Sequence, residues 1–290
     1  MKKTVYVSAY LSRKYDKRVY DDLHKILEGQ IIDIQNNSKN VWCRDYMPIK
    51  SGAGKYVQFK YRPLYMYDMQ KYSGHFPLPE AIHRELNLDC EFSDILLDGG
   101  AIEVLGSKAI VSDQVFRDNK MRDNKMKTET EIFNEIKEKL DLKQLIVIPQ
   151  YPYDFTGHVD GLVRFIDGNR VVVNDLKKEL EESEKDKNHY RKKVIENWVY
   201  AFKSALISAG LQMEELSTSI PEKGSPNSGE GIYTNFLLLE DLIIMPSYDN
   251  STDDSAAKRL CELYERPVKK VHATELSKEG GMINCITWTK

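Results

Sequence analysis

The stretch GHVDGLVRFIDGNRVVV, Gly157–Val173, contains the pattern from which the fold of this chain can be predicted. Two β-rich runs flank Asp167-Gly168-Asn169, and a turn sequence between two such runs predicts a hairpin. A helix ended by Gly210 follows, with four apolar residues at helical spacing on one face: Val194, Trp198, Phe202 and Leu206. The strand Leu211–Leu216 comes next, so the predicted unit is a hairpin, a helix and a closing strand.

This order of hairpin, helix and closing strand recurs along the chain at a spacing of about sixty residues. Further hairpin turns are predicted at Gly106-Ser107 and Glu240-Asp241. The predicted helices are Tyr15–Leu27, Pro77–Leu88, one that starts at Thr128 with a capping box to Glu131, the one before Gly210, and one from about Asp254 to Tyr264. The predicted closing strands are Gln30–Ile34, Glu91–Leu96, Gln144–Ile148, Leu211–Leu216 and Val268–His272. Such a repeat predicts an α/β fold built as a ring of like units rather than a doubly wound sheet.

The two ends of the chain each supply a strand without a partner. Thr4–Ala9 precedes the first helix as a single strand, and Met282–Trp288 is left over at the other end. Pairing these two strands would complete a fifth unit and close the ring. We therefore expect residues 1–290 to form one domain.

Composition excludes several classes of partner. The chain has 290 residues and a net charge of −3, which gives no basic footprint for nucleic acid and mildly favours a cationic ligand. No apolar run is long enough to span a membrane, and Met1–Ser8 predicts a first strand rather than a signal peptide. The four widely spaced cysteines, which form no CxxC pair, fit a reducing, cytoplasmic setting.

Two conspicuous stretches have simple structural explanations. The tandem RDNKM at Arg117–Met121 and Arg122–Met126 predicts a duplicated surface loop. The charged run Lys177–Lys193 predicts a solvated helix start with salt bridges along it.

Polar and glycine-rich segments follow every closing strand. They are Trp42–Asp45, Asp98–Gly100, Gly157–Asp160, Gly224–Gly231 and Glu279–Cys285. Equivalent positions in a ring converge on its axis, so we expect carboxylates, one histidine and one cysteine to meet there.

Such a set of side chains suits chemistry on a guanidinium group. Cys285 is the candidate nucleophile, and it attacks as a thiolate. His158 can give a proton to a leaving amine and then take one from water. Two carboxylates, Asp45 and Asp160, would disfavour the thiolate unless the substrate is itself a cation. Guanidinium is planar, permanently charged and matches carboxylates through paired N–H donors.

Each of these residues also has a structural explanation. A His-x-Asp pair such as His158 and Asp160 is often structural, and Cys285 could pack within an apolar strand. Asp45 could cap a turn, and the Gly-Gly pairs could serve only as tight turns.

Five motifs resemble the agmatine deiminase and bacterial peptidyl-arginine deiminase family of the guanidine-modifying pentein superfamily. They are WCRDYMP (Trp42–Pro48), LDGGAIEV (Leu97–Val104), GHVDGLVRF (Gly157–Phe165), IYTNFLL (Ile232–Leu238) and EGGMINCIT (Glu279–Thr287). Their order and their spread from Trp42 to Thr287 carry the resemblance. It implies a five-bladed β/α propeller, or pentein, of ββαβ units.

The resemblance also implies roles for individual residues. The catalytic set would be Cys285 as nucleophile, His158 as acid and base, and Asp45 and Asp160 as guanidinium ligands. The substrate-binding set would be Trp42, Asp98, Gly99, Asn235 and Gly281. The sequence departs from the family pattern at Asn284, where histidine is common, at Asp98, where glutamate is common, and at Trp288, where a polar residue is usual.

The implied reaction is hydrolytic deimination without a metal or organic cofactor, for example of agmatine to N-carbamoylputrescine in polyamine biosynthesis. An amidinotransferase on the same fold, a metal-dependent hydrolase using His158, Asp160 and Asp45, and a catalytically silent binding protein are the alternatives. The histidines show no HExxH spacing, which disfavours the metal hydrolase. Agmatine, free arginine and peptidyl-arginine all remain open as substrates, as does a homo-oligomeric state.

Overall fold

Five small sheets of equal size organise the chain. The computed structural model describes residues 3–14, 17–35, 38–66, 74–120, 127–185, 189–219 and 228–290. Within these residues there are five three-stranded sheets with helices between their strands, a mixed α/β fold.

The strands are short, between two and seven residues long. In chain order they are β1 (Val5–Ser8), β2 (Ile31–Ile34), β3 (Ile49–Lys50), β4 (Tyr56–Lys60), β5 (Cys90–Leu96), β6 (Ile102–Leu105), β7 (Lys108–Ser112), β8 (Gln144–Ile148), β9 (Val163–Phe165), β10 (Arg170–Asn174), β11 (Gln212–Leu216), β12 (Leu237–Leu238), β13 (Ile243–Ser247), β14 (Val268–His272) and β15 (Trp288–Thr289).

The helices vary from single turns to five turns. They are α1 (Leu11–Lys14), α2 (Lys17–Ile26), α3 (Cys43–Tyr46), α4 (Pro79–Leu86), α5 (Gln114–Lys120), α6 (Glu129–Lys139), α7 (Leu176–Lys185), α8 (His189–Ser208), α9 (Thr252–Tyr264) and α10 (Thr274–Ser277). The capping box predicted between Thr128 and Glu131 is present at the start of α6.

Four of the five sheets have the predicted order of hairpin, helix and closing strand, and in the fifth the C-terminal β15 takes the place of the first hairpin strand. The strand orders are β3-β4-β5, β6-β7-β8, β9-β10-β11, β12-β13-β14 and β15-β1-β2. In each sheet the middle strand pairs antiparallel with one neighbour and parallel with the other. A parallel neighbour requires a crossover, and the helices provide it.

The ends of the chain pair as predicted, although the last strand is shorter than expected. β1 lies antiparallel to β15, with Val5 opposite Thr289 and Tyr6 opposite Trp288. The predicted strand Met282–Trp288 is wrong over most of its length, because residues 283–286 form a turn in which the Ile286 N–H bonds to the Met282 carbonyl at 3.3 Å. A short run of buried apolar residues fits either a strand or a helical turn, so periodicity could not separate them.

The charged run from Lys177 to Lys193 is helical where the structure describes it. Its first part lies in α7 and its last part, from His189, lies in α8, while residues 186–188 lie outside the described residues. Its expected solvated salt bridges are present, for example Lys177 with Glu181 at 3.6 Å. On α8 the predicted Phe202 and Leu206 are fully buried, as is Ile195, whereas the predicted Val194 is half-buried.

The RDNKM tandem falls only partly within the described structure. Arg117–Lys120 belongs to α5 rather than to a loop. Residues 121–126, which contain the rest of the tandem, lie outside the described residues.

The described part of the chain has two further general features. None of its helices combines the length and the apolar character that a membrane span requires. All four cysteines, Cys43, Cys90, Cys261 and Cys285, are free thiols.

The junction of the two chain ends depends on Trp288. Its ring lies 5.4 Å from that of Tyr6 and 5.6 Å from that of Tyr56, and its indole N–H donates to the Pro48 carbonyl at 2.8 Å. We expect Trp288→Ala, at a position only 3% exposed, to lower the free energy of unfolding by about 3–5 kcal/mol in urea denaturation. Tyr200→Ala, at a 77% exposed position, should change it by less than about 0.5 kcal/mol. Equal effects of the two changes on the free energy of unfolding would contradict a stabilising role of Trp288 at this junction.

Candidate active site

A short turn precedes the first strand of every sheet. These five junction turns comprise residues 43–46, 99–101, 159–162, 234–235 and 283–286. They carry Asp45, Gly99, Asp160, Asn235 and Cys285, five of the predicted site residues. Four of the five segments that the repeat pattern marked as equivalent overlap a junction turn. The fourth predicted segment, Gly224–Gly231, does not, because the turn before its sheet is formed by residues 234–235; residues 224–227 lie outside the described residues.

Hydrogen bonds join each junction turn to the next one around a closed circuit. Arg44 N–H donates to Cys285 O (3.0 Å), Gly100 N–H to Asp45 Oδ1 (3.1 Å), Val159 N–H to Gly100 O (2.8 Å), Thr234 Oγ1 to Gly161 O (2.8 Å), and Asn284 N–H to Asn235 O (3.2 Å). Residues from five distant parts of the sequence are thereby held together.

The thiol of Cys285 lies between an amide and a carboxylate. Asn235 Nδ2 is 3.1 Å from Sγ, Asn235 Oδ1 is 3.4 Å from it, and Asp160 Oδ2 is 3.6 Å from it. The same Asp160 oxygen accepts a hydrogen bond from Asn284 Nδ2 at 2.8 Å. Cys285 is only 5% exposed, so its sulfur is largely shielded from solvent.

His158 lies between two further carboxylates. Its Nε2 is 3.4 Å from Asp98 Oδ2, and its Nδ1 is 3.7 Å from Asp45 Oδ1. Its backbone N–H donates to Asp154 Oδ2 and to Thr156 Oγ1, both at 3.2 Å. The imidazole is thus fixed by its own loop and flanked by acids on both ring nitrogens.

These contacts change the acid–base properties of the site. Burial, followed by the charges of Asp160 and Asp45, raises the pKa of Cys285 well above its usual range. Burial alone would lower the pKa of His158, but Asp45, Asp98 and Asp160 outweigh it and raise that pKa to about 10. Burial raises the pKa of Asp45 to about 7, with Asp98 and Asp160 adding to the effect and His158 opposing it. At neutral pH the site therefore contains a thiol and an imidazolium.

A cavity of about 130 Å³ opens beside these groups. Four predicted site residues line it: His158, Asp160, Asn235 and Cys285. Its outer wall is mainly aromatic and aliphatic, formed by Tyr151, Tyr153, Phe155, Leu162, Ile232 and Met282. The cavity lining therefore combines a carboxylate, an imidazole and a thiol with a larger number of aromatic and aliphatic side chains.

The remaining predicted site residues lie around the four that line the cavity, but they are not part of its described lining. Asp45 and Asp98 contact His158 from the other side. Gly281 lies flat against the Trp42 ring, since a Cβ atom built on it would be 2.4 Å from that ring. Gly99 packs on the Arg44 carbonyl, where a Cβ atom would be only 1.9 Å away.

Three contributors were not predicted from the sequence. Tyr65 donates its hydroxyl to Asp98 Oδ2 at 3.2 Å, and no motif marked it. Asn284 was recognised only as a departure from a family pattern, yet it bonds to Asp160. Arg44 was part of a quoted motif, and its Nη2 donates to Asn284 Oδ1 at 3.3 Å.

Over the described ranges, no group of three or more His, Cys, Asp and Glu side chains is arranged to hold a metal ion. His158, Asp160 and Asp45, the set named for a metal hydrolase, thus do not form such a group in the described structure.

Comparison with known proteins gives a consistent family assignment. The family model for the Porphyromonas-type peptidyl-arginine deiminase matches residues 2–290. A protein of Shewanella sp. (strain MR-7), provisionally named agmatine deiminase, is 30% identical over 213 residues, which are 67% of this chain and 56% of that protein. The chain thus matches little more than half the length of that curated relative.

Solved structures share the fold at low sequence identity. Agmatine deiminase of C. jejuni superposes with a TM-score of 0.73 at 19% identity, covering 100% of this chain and 96% of that one. A provisionally named arginine deiminase of Porphyromonas gingivalis gives 0.76 at 16% identity, with 100% and 95% covered. These structures establish that the fold is that of the agmatine deiminases.

The position of Asp160 beside the sulfur makes a prediction about thiol reactivity. Because its charge raises the pKa of Cys285, Asp160→Asn should lower that pKa and speed alkylation by iodoacetamide at pH 8, roughly tenfold for each pKa unit. Peptide mass spectrometry would give the rate at each cysteine, with the exposed Cys261 as internal reference. Asp254→Asn, a change at an exposed carboxylate, is the matched control. An unchanged Cys285 rate in Asp160→Asn would contradict the electrostatic role of Asp160.

Proposed function

This chain belongs to the Porphyromonas-type peptidyl-arginine deiminase family, and from that premise we propose that it hydrolytically removes ammonia from a guanidinium group. One observation carries the proposal: Cys285, His158 and Asp160 line a single cavity, although they come from distant parts of the chain. In this proposal Cys285 is the nucleophile, His158 the acid and base, and Asp160 and Asp45 the guanidinium ligands.

The electrostatics of the site favour a cationic substrate. Asp160 and Asp45 both disfavour the Cys285 thiolate while the cavity is free. A guanidinium bound to Asp160 would offset this negative charge and lower the pKa of the thiol, so that substrate binding itself promotes formation of the nucleophile. A neutral amide or ester would leave the thiol protonated.

The first half of the proposed reaction forms a covalent intermediate. The Cys285 thiolate attacks the guanidinium carbon, and a C–S bond forms to give a tetrahedral adduct. The imidazolium of His158 protonates one nitrogen, the C–N bond breaks, and ammonia leaves. An S-alkylthiouronium group then remains on Cys285.

Water completes the reaction in the second half. Neutral His158 takes a proton from water, and the resulting hydroxide adds to the thiouronium carbon. The C–S bond breaks, and its electron pair returns to sulfur. The proton lost by the oxygen converts ammonia to ammonium, so guanidinium and water give a ureido compound and ammonium.

We also propose that the five sheets form a closed five-bladed propeller and that residues 1–290 are a single catalytic domain. The circuit of hydrogen bonds through the junction turns supports this arrangement, as does the pairing of β1 with β15. Each turn would then project its side chain toward a common axis.

For the substrate we propose agmatine, which would give N-carbamoylputrescine, or a related arginine derivative. The names of the Shewanella relative and of the C. jejuni structure support agmatine. The name of the family model supports arginine within a peptide. All three guanidines, including free arginine, therefore belong in the first assay.

The proposed nucleophile gives the most direct test. We expect the protein to release ammonia from agmatine, arginine or a peptide with an internal arginine, and Cys285→Ala to abolish this release because no other thiol lines the described cavity. Circular dichroism should show an unchanged fold. Cys261→Ala, at an exposed cysteine, should keep full activity.

Two outcomes of this assay would contradict the proposed cysteine-dependent deimination. Substantial ammonia release by Cys285→Ala would exclude the cysteine mechanism. A new guanidine in place of a ureido product, formed when an amine is supplied, would identify an amidinotransferase instead.

The carboxyl group of Asp45 predicts an acid limb in the pH profile. Its pKa is raised to about 7, so Asp45 is ionised above neutral pH and protonated below it. Because the charged form is the proposed guanidinium ligand, kcat/KM should fall as the pH drops below about 7. Asp45→Asn should lower kcat/KM at all pH values and remove this limb, whereas Asp254→Asn should leave it in place. A limb of the same midpoint in Asp45→Asn would exclude Asp45 as its origin.

A further inference from the structure

The side-chain amide of Asn284 has a defined orientation, because its two ends contact groups of opposite character. Arg44 Nη2 lies 3.3 Å from its Oδ1, and a guanidinium has donors but no acceptor. Oδ1 must therefore be the acceptor, and Nδ2 is directed to the other side. There it donates to Asp160 Oδ2 at 2.8 Å. The amide thus links a permanent cation to the carboxylate beside the nucleophile.

The backbone of Asn284 is restrained as closely as its side chain. The residue is only 2% exposed, and its N–H donates to Asn235 Oδ1 at 3.0 Å. Its carbonyl accepts hydrogen bonds from the Thr287 N–H at 3.2 Å and from Thr287 Oγ1 at 3.3 Å. The turn that carries Cys285 therefore also places the amide of Asn284 against Asp160.

The carboxylate of Asp160 depends on this contact for its direction. The terminal torsion of an aspartate is broad, so the side chain alone does not fix the plane of its two oxygens. Among the described residues, the protein groups that bond to this carboxylate reach Oδ2, namely Asn284 Nδ2 at 2.8 Å and Cys285 Sγ at 3.6 Å. Asp160 also lines the cavity. Oδ1 is therefore the oxygen left for a ligand bound there.

We propose that Asn284 is a positioning residue for Asp160, which fixes the plane of the carboxylate through Oδ2 and so directs Oδ1 toward the guanidinium. The inference rests on the proposed function for the identity of this ligand. An ionised acceptor makes a stronger hydrogen bond than a neutral one, so the contact restrains the charged carboxylate, the form that binds a guanidinium. The contact of Arg44 with Oδ1 polarises the amide and strengthens its N–H as a donor.

The direction of this carboxylate also determines where the reacting carbon lies. A guanidinium held by Asp160 must present its carbon to Cys285 Sγ, which is 3.6 Å from the same carboxylate. A misplacement of about 1 Å can lower the rate of such a reaction roughly a hundredfold. Asn284 therefore contributes to binding and to alignment without contacting the substrate.

The deciding experiment measures guanidine binding to the Cys285→Ala protein, which requires no turnover. Isothermal titration calorimetry would use agmatine, arginine and a peptide with an internal arginine. Adding Asn284→Ala should raise Kd about tenfold, because a hydrogen bond to a charged group is lost. Asn174→Ala is the matched control, since Asn174 Nδ2 donates to Gly161 O at 2.8 Å and so supports the junction turn of Asp160 rather than its carboxylate. It should change Kd by less than about twofold.

A double-mutant cycle separates positioning of Asp160 from a merely structural role. In an Asp160→Asn background the effect of Asn284→Ala on Kd should fall below about twofold, because no charged carboxylate remains to be positioned. In an Asp45→Asn background it should stay about tenfold. Equal effects in both backgrounds, or an unchanged Kd in Asn284→Ala itself, would overturn the proposal. If Asn284→Ala does not fold, Asn284→Ser removes the same amide donor with a smaller loss of volume, and the same outcomes apply to it.

The same titrations distinguish this inference from the proposed deimination. Ammonia release by the wild type together with an unchanged Kd in Asn284→Ala would overturn the role of Asn284 and leave deimination standing. The expected rise in Kd without ammonia release by the wild type would do the reverse. Failure of the Cys285→Ala protein to bind any of the three guanidines would also overturn the inference, because Asp160 would then hold no guanidinium.

Discussion

The closed circuit of hydrogen bonds among the five junction turns is the constraint on which the site depends. Each bond links a turn of one sheet to the turn of the next, and the last returns from Cys285 to Arg44. The turns lie so close that Gly100 has no room for a side chain, since a Cβ atom there would be 2.5 Å from His158 Nδ1. The circuit therefore determines both which residues meet and where a glycine is required.

A second constraint is the amount of negative charge gathered inside this circuit. Asp45, Asp98 and Asp160 lie around one imidazole and one thiol, and burial increases the cost of their charges. Two arginines offset part of this charge, since Asp160 acts to raise the pKa of both Arg44 and Arg164 through its negative charge, although Arg164 is also paired with Glu103 at 3.0 Å. No arginine belongs to the described lining of the cavity beside Cys285, whereas Asp160 does. A cation is therefore the ligand that best matches the charge of this lining.

The sequence predicted the order of elements well, because turn residues and helical spacing are local signals. The strands Gln144–Ile148 and Val268–His272 have their predicted bounds. The prediction failed for Met282–Thr287, whose buried apolar residues suit a strand and a turn equally. Cys285, His158 and Asp160 occupy equivalent positions in the repeat, so the sequence predicted that they would meet. Tyr65 occupies no such position, and no sequence pattern marked its contact with Asp98.

The turn conformation of residues 283–286 has a chemical consequence that a strand would not have. In a strand, successive N–H groups point to opposite sides, so Asn284 and Cys285 could not both donate to a single oxygen. In the turn they converge on Asn235 Oδ1, and the amide lies beside the sulfur, with Nδ2 3.1 Å and Oδ1 3.4 Å from Sγ. At Asn284 a neutral amide supplies the donor to Asp160, so this contact adds no titratable group beside the nucleophile. The pKa of the thiol is then raised by burial and by Asp160 and Asp45, which the circuit holds in place.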